Sequence, residues 1–296
     1  MKKNFHPADI DRIQALLLPA INAALRAGDE IAKVYQTDFS VEYKADHSPL
    51  TQADKMAHQV IVAELAPFLI PVLSEEGGII PFSERAGLDL LWIVDPLDGT
   101  KEFIKKNGEF TVNIALIKDH SPVLGIIFQP VAGLLYFGCT GMGSYRIKDI
   151  ISGFHVPQTV KALTSISQAL PLPGTKDALV VCSSRSHLNT ETIAYLNELK
   201  MSEGREITFL QIGSSLKFCR VAEGMADVYP RFSPSMEWDT AAGQAIAEQA
   251  GAQVLDCTTG MPLIYNREVL LNPSFLVQGP SAKQLPAPTP FLNPIV

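Results

Sequence analysis

Apolar residues recur at helical spacing over residues 9–36, at Ile10, Ile13, Leu17, Ile21, Leu25, Ile31 and Tyr35, which predicts amphipathic helix there. Asp9 is placed to cap it, and Pro19 to kink or divide it. A second helix is expected from about Gln52 to Leu65, with Pro67 as its stop. The pattern then changes to short runs rich in β-branched and aromatic residues. "PVLSEE", "LLWIVD", "TVNIALI", "VLGIIFQP" and "GLLYFGC" read as strands separated by Gly, Pro or Asp turns. Residues 111–118 and 122–129 are close enough to form a hairpin.

A less patterned stretch, residues 151–177, holds Pro157, Pro171, Pro173 and Gly174. It places a junction between a first domain over residues 1–155 and a second over 156–296. Beyond it, "ALVVCSS", "EITFLQI" and "ADVYPR" alternate as strands with helices in "NTETIAYLNELK", "SLKFCRVAE" and "TAAGQAIAEQA". Antiparallel hairpins in one half and alternating α and β in the other predict a layered α/β (α+β) sandwich. The Pro-rich end from residue 281 is expected to be a tail with little structure of its own.

Composition narrows the picture. Of the 296 residues, 47% are hydrophobic and 19% charged, so the chain has material for a core. A net charge of −7 argues against nucleic acid as a partner, since no excess of Lys and Arg is present to neutralise phosphates. No apolar run approaches the ~20 residues of a transmembrane helix, and no apolar stretch follows the two lysines of "MKKNFHPADI", so no signal peptide is expected. Cys139, Cys182, Cys219 and Cys257 are widely spaced, the usage expected of reduced thiols in the cytoplasm.

Candidate chemistry concentrates in "WIVDPLDGTKEF". The strand Leu90–Val94 ends at Asp95, which would emerge at a strand's C-terminal edge, a common ligand position in α/β proteins. Asp98-Gly99 is a turn dipeptide, and Thr100 and Lys101 open a helix whose free N–H groups suit a phosphate. Asp95, Asp98 and the Leu97 carbonyl offer the hard oxygen donors a divalent cation takes. A plain helix-capping turn with Asp98 as N-cap explains the stretch equally well. The spacing does not fit the Asp-x-Asp-x-Thr of phosphatases with a nucleophilic aspartate, and a P-loop is absent. "GMGSYR" at 141–146 has Arg146 where a dinucleotide fingerprint needs glycine, and reads as a hairpin turn.

Other acids are individually unremarkable. Glu75 and Glu76 end a strand before Gly-Gly, Asp239 stands directly before a helix, and Asp54 lies near another helix start. Their order is what matters: Asp near a helix start, strand–Glu-Glu, strand–Asp-Pro-Leu-Asp-Gly-Thr, then Trp-Asp at a helix start. This order, over residues 54–243, resembles the lithium-sensitive, magnesium-dependent phosphatase superfamily that includes inositol monophosphatase. "DGTKEF", "IGSSLKFCRVAEGMADVYPRF" (212–232) and "SSRSH" (183–187) are similar to its CysQ-type 3′(2′),5′-bisphosphate nucleotidase branch. The resemblance spans about Ala27 to Pro273.

The resemblance implies an α-β-α-β-α sandwich of the inositol monophosphatase and sugar phosphatase type. It implies an enzyme that removes the 3′-phosphate of adenosine 3′,5′-bisphosphate, and also acts on the 3′-phosphorylated sulfate donor. Carried over by position, Glu75, Asp95 and the Leu97 carbonyl would hold one Mg²⁺. Asp95, Asp98 and Asp239 would hold a second, with Glu76 in an outer shell or at a third ion. Thr100 paired with Asp54 would orient the attacking water, and the Gly99 and Thr100 amides would bind phosphate oxygens. Ser214 and Lys217, three apart at a helix start, with Arg231, Arg185 and His187, are the candidate nucleotide contacts. Rival readings are the same chemistry on inositol phosphate or a sugar bisphosphate, and a silent sensor binding Mg²⁺ and nucleotide. Homodimer formation and peripheral association with the cytoplasmic face of the inner membrane stay open.

Overall fold

The computed structural model of the chain describes residues 5–44, 49–183, 189–204, 206–282 and 285. Arg185, His187 and nearly all of the Pro-rich end lie outside these residues.

The first predicted helix forms as two. His6, not Asp9, caps α1 (Pro7–Ala15), its Nδ1 accepting the Ala8 amide at 3.3 Å. α2 (Leu17–Tyr35) follows after Leu16, so the division precedes Pro19. Pro19 sits in the first turn of α2, where its missing N–H has no intrahelical partner to lose. A hairpin, β1 (Val41–Tyr43) with β2 (Pro49–Thr51), leads into α3 (Gln52–Leu65), and a 3-10 turn holding Pro67 ends that helix.

Next come β3 (Val72–Ser74), one-turn α4 (Phe82–Arg85), β4 (Leu90–Asp98), short α5 (Thr100–Ile104), β5 (Thr111–Lys118), β6 (Ser121–Gln129), β7 (Leu134–Cys139) and β8 (Gly143–Ile147). α6 (Val160–Ser165) and β9 (Gln168–Leu170) follow. Among the described residues these strands form one seven-stranded sheet in chain order, parallel between β3 and β4 and antiparallel elsewhere. The expected hairpin is β5–β6, and "GMGSYR" turns β7 into β8. Because β9 pairs with β8, the chain leaves this sheet after Leu170, within the less patterned stretch 151–177. α6 and β9 are too short for periodicity to reveal them.

The rest of the chain gives β10 (Leu179–Ser183), α7 (Thr190–Glu203), β11 (Ile207–Gln211), α8 (Leu216–Ala222), β12 (Val228–Arg231), α9 (Glu237–Gln249), β13 (Gln253–Asp256) and β14 (Phe275–Gln278). Their five strands are ordered β11-β10-β12-β14-β13. The sequence pattern did not predict β13 and β14, each four residues long.

Three apolar clusters define the layers. Leu17, Ile21 and Ile61 of α2 and α3 pack with Trp92, Ile126 and Phe128 on one face of the larger sheet. Phe218, Val221, Ala242 and Ile246 of α8 and α9 fill the space between the sheets, against Ile93 and Ile127 on one side and Tyr229 and Val277 on the other. Tyr195 and Leu199 of α7 pack with Leu179, Val228 and Leu276 of the smaller sheet. The result is the expected α-β-α-β-α sandwich. α9 lies so close to β6 that a Cβ at Gly125 would stand 2.4 Å from the Ala242 carbonyl oxygen. Glu223, at the end of α8, is buried between Arg146 and Arg220 and accepts from the Tyr136 hydroxyl at 3.0 Å, which ties α8 to β7 and β8. Among the described residues no helix is long and apolar enough to cross a membrane.

Candidate active site

The strand carrying Asp95 does not end there. β4 keeps pairing with β5 through Asp98, with Asp95 opposite Asn113 and Asp98 opposite Thr111. Three steps along β4 therefore face two along β5, which is a β-bulge at Pro96-Leu97. In a regular strand, residues three apart point to opposite faces. The extra residue cancels that alternation and lets both aspartates serve one site. Gly99, at φ 96°, is the N-cap of α5, so the capping-turn reading with Asp98 as N-cap is not the one the chain adopts. That left-handed conformation is one glycine adopts without steric cost.

Asp54 is the third residue of α3 and closes its capping box. Oδ2 accepts the Thr51 amide at 2.7 Å and the Thr51 hydroxyl at 2.6 Å, while Oδ1 accepts the Thr100 hydroxyl at 3.1 Å. Thr100 Oγ1 is also 3.4 Å from the Leu97 carbonyl oxygen. Asp239 repeats the device as the third residue of α9, not its N-cap: its Oδ2 accepts the Met236 amide at 2.9 Å. Asp95 Oδ1 accepts the Leu97 amide at 3.0 Å. Each of these carboxylates thus spends at least one oxygen on nearby backbone.

Glu75 reaches the same region because its amide continues the β3–β4 pairing, donating to the Val94 carbonyl at 3.1 Å. A residue with no signal in the local pattern joins it. Lys44, just past β1, donates to Glu75 Oε1 at 2.9 Å and Glu76 Oε1 at 2.5 Å. Burial pulls the Lys44 ammonium down, but the two glutamates outweigh it and raise its pKa. Glu76 is raised by burial, against the pull of Lys44.

The acids strain one another electrostatically. Asp95, 2% exposed, is raised well above the usual carboxylate range, first by burial and then by the charges of Glu75, Asp98, Asp239 and Asp54. Asp239, whose carboxyl lies deep although the residue keeps some exposure, is pushed up to about 7 by burial and by Asp98. Burial also raises Asp54, opposed by its bonds from Thr51 and Thr100. Such a concentration of negative charge is relieved by a hard divalent cation, and the donors are all oxygen. Among the described residues no three acidic, His or Cys side chains form a ready-made cage. Mg²⁺, which keeps several waters and binds through one or two carboxylates, does not require one. The residues fit that ion.

Positive groups border the acids. Lys217 is buried, and burial lowers its pKa even though Asp98 counteracts it. Its Nζ donates to the carbonyls of Ser214 at 2.8 Å and Ile212 at 3.3 Å, and lies 5.4 Å from the centre of the Tyr229 ring. Contrary to the expectation from their spacing, Ser214 does not share a helix face with Lys217, because α8 begins only at Leu216. Ser214 precedes α8 in a left-handed conformation, φ 54°, with its hydroxyl 2.6 Å from both Asp98 Oδ2 and Thr111 Oγ1. Arg231 ends β12 and donates to the carbonyls of Ser233 at 3.2 Å and Pro234 at 2.9 Å. The sequence reading missed Lys44, Thr111, Asn113 and Ser215; nothing in their local pattern marks them.

Residues 13–287 match the Inositol monophosphatase family. The chain belongs to that family. Its members depend on a metal ion, typically Mg²⁺. Among family relatives, the 3′(2′),5′-bisphosphate nucleotidase CysQ of Salmonella typhimurium is 45% identical over 259 residues, covering 86% of this chain and 96% of that protein. The CysQ of Escherichia coli K12 is 44% identical with the same coverage. The crystal structure of CysQ from Bacteroides thetaiotaomicron superposes with a TM-score of 0.83 at 48% identity, covering 90% of this chain and 98% of that one. SuhB from Bartonella henselae, at 24% identity and a TM-score of 0.66, shares the fold. Within the inositol monophosphatase family, this chain's similarity to CysQ proteins therefore extends over nearly its whole length.

Proposed function

We propose that the chain is a Mg²⁺-dependent 3′(2′),5′-bisphosphate nucleotidase, hydrolysing adenosine 3′,5′-bisphosphate to AMP and phosphate. The observation that carries this reading is the junction of two opposite charge zones: the crowded acids around Asp95, and Lys217 and Arg231 beside Asp98 and Asp239. A substrate with two phosphates needs both zones, one for the reacting group and one for the rest. The names of the CysQ relatives agree.

In this reading Glu75, Asp95 and the Leu97 carbonyl would hold one Mg²⁺, and Asp95, Asp98 and Asp239 would hold a second. When bound, the ions lower the pKa of water and neutralise charge on the leaving ribose oxygen. The Gly99 and Thr100 amides, at the start of α5, bind phosphate oxygens. The Thr100 hydroxyl, held by Asp54, orients the attacking water, and Asp54 Oδ1 takes up the proton. Burial makes that carboxylate a better proton acceptor than an exposed one. The water oxygen bonds to phosphorus as the bond from phosphorus to O3′ breaks, and O3′ takes a proton from solvent, giving AMP with a free 3′-hydroxyl and inorganic phosphate. Ser214, Lys217 and Arg231, with Arg185 and His187, contact the nucleotide. The same site accepts the sulfated relative of the substrate, whose 3′-phosphate is equivalent.

The test is phosphate release from adenosine 3′,5′-bisphosphate, inositol 1-phosphate and fructose 1,6-bisphosphate, each with Mg²⁺ and with chelator. Strong, chelator-sensitive release from the nucleotide alone is expected. Preference for the inositol or sugar phosphate would keep the metal site and overturn the nucleotide assignment. Ligand binding without release from any of the three would mean a sensor.

A further inference from the structure

One oxygen of Asp98 is crowded with donors from the turn before α8 and from β5. Asp98 Oδ2 accepts the Ser214 hydroxyl at 2.6 Å, the Ser215 amide at 2.6 Å and the Ser215 hydroxyl at 2.7 Å, with Asn113 Nδ2 at 3.4 Å. Ser215 occupies the N-cap position of α8 yet makes no side-chain cap bond to that helix. Its hydroxyl points away, between Asp98 Oδ2 and the Asp239 carbonyl oxygen 2.9 Å off. The nearer, charged acceptor takes its single proton.

Asn113 stands behind Ser215. It is 1% exposed, and its Nδ2 donates to Ser215 Oγ at 2.9 Å. Asn113 Nδ2 also faces the acceptor-only Asp98 Oδ2 at 3.4 Å, which sets its NH₂ group toward Ser215, while Asn113 Oδ1 lies 2.9 Å from Thr111 Oγ1. Thr111 and Asn113 are two apart on β5, opposite Asp98 and Asp95 respectively, so both lie on the face the bulged β4 presents.

We propose that Ser215 and Asn113 are positioning residues that commit Asp98 Oδ2 to the protein, leaving Oδ1 as a one-point ligand for Mg²⁺. The inference rests on the metal-site reading above. A carboxylate has about four lone-pair sites on two oxygens; three close donors saturate one oxygen, so chelation through both is closed off. That suits Mg²⁺, which demands octahedral geometry, better than Ca²⁺, which accepts two-oxygen carboxylates and larger coordination numbers. Because Ser215 also lies against the backbone of Asp239, one hydroxyl spaces two ligands of the same ion. The clamp crosses from α8 to β4, so the site is set only when the two sheets are docked.

The experiment is calorimetric titration of Mg²⁺ and Ca²⁺ into substrate-free protein, for wild type, Ser215→Ala, Ser215→Thr and Asn113→Ala. Outer partners of metal ligands are typically worth about 10–100-fold in affinity. Ser215→Ala and Asn113→Ala should weaken Mg²⁺ binding by about tenfold or more and Ca²⁺ binding less, while Ser215→Thr, which keeps the hydroxyl, restores it. Unfolding in chelator separates a lost clamp from a lost fold, and Asn113→Ala reports if Ser215→Ala does not fold. Wild-type Mg²⁺ affinity in both alanine variants, or a threonine variant no better than alanine, overturns this inference alone. A wild type that binds no divalent ion overturns the metal-site reading itself.

Discussion

The Thr100 hydroxyl donates to Oδ1 of Asp54 at 3.1 Å, while the other oxygen of that carboxylate closes the first turn of α3 through Thr51. One side chain thereby holds a helix end and faces the phosphate site. The two roles separate by substitution. An asparagine at Asp54 still offers one oxygen to the Thr51 amide but no proton acceptor to Thr100. Asp54→Asn and Thr100→Val should each lower kcat by about 10²–10⁴-fold, with Mg²⁺ affinity little changed. Steady-state kinetics beside metal titration checks this; a fall in metal affinity alone would assign the pair to metal binding.

Asp95 is the most strained of the acids, buried and surrounded by four like charges. Asp95→Asn keeps its shape and removes that repulsion. Activity should fall by more than about 100-fold, while the metal-free protein unfolds at a higher temperature than wild type. Near-normal turnover in Mg²⁺ would sink the metal-ligand role of Asp95.

The raised acids also set a pH dependence. Asp239 titrates near about 7 and Asp95 well above the usual range, against about 3.9 for an unfolded aspartate. Between these values the folded chain holds protons that the unfolded chain has released. Stability contributed by these protons is complete below the unfolded value and is lost as pH rises through the folded ones. In chelator, the unfolding temperature should therefore fall from about pH 5 to about pH 8. Saturating Mg²⁺ should flatten that slope, since the ion replaces the protons. Equal slopes with and without Mg²⁺ would show that these carboxylates do not share the ion.

Gly99 links β4 to α5 at φ 96°, and an added Cβ would meet the Glu109 carbonyl oxygen at 3.2 Å. Gly99→Ala should cost about 1–2 kcal/mol of stability and shift the Thr100 hydroxyl from Asp54. Its kcat loss should exceed that of Gly87→Ala, whose added Cβ meets nothing within 4 Å. Similar kinetics for the two variants would show that the turn tolerates the change.

Much of this architecture was legible in the chain. The hairpin β5–β6, the span of α3 and the order of acids that gives the family all rest on signals a few residues long. Capping, turn and alternation patterns act between neighbours, so the local sequence carries them. Even so, "VDPLDGT" reads as a turn, and only pairing with β5 shows it to be a bulged strand that aims Asp95 and Asp98 together. The partners of those acids are further still from local reach. Lys44 meets Glu75 across 31 positions, and Ser215 meets Asp98 across 117. Which serine saturates which carboxylate oxygen depends on the docking of α8 and α9 between the two sheets. That docking is set by the close packing of small residues such as Gly125 against Ala242. The sequence by itself determined the longer elements and the family; the packed interior decided the short strands and how the charges at the site are shared, because its low dielectric makes each contact between them count.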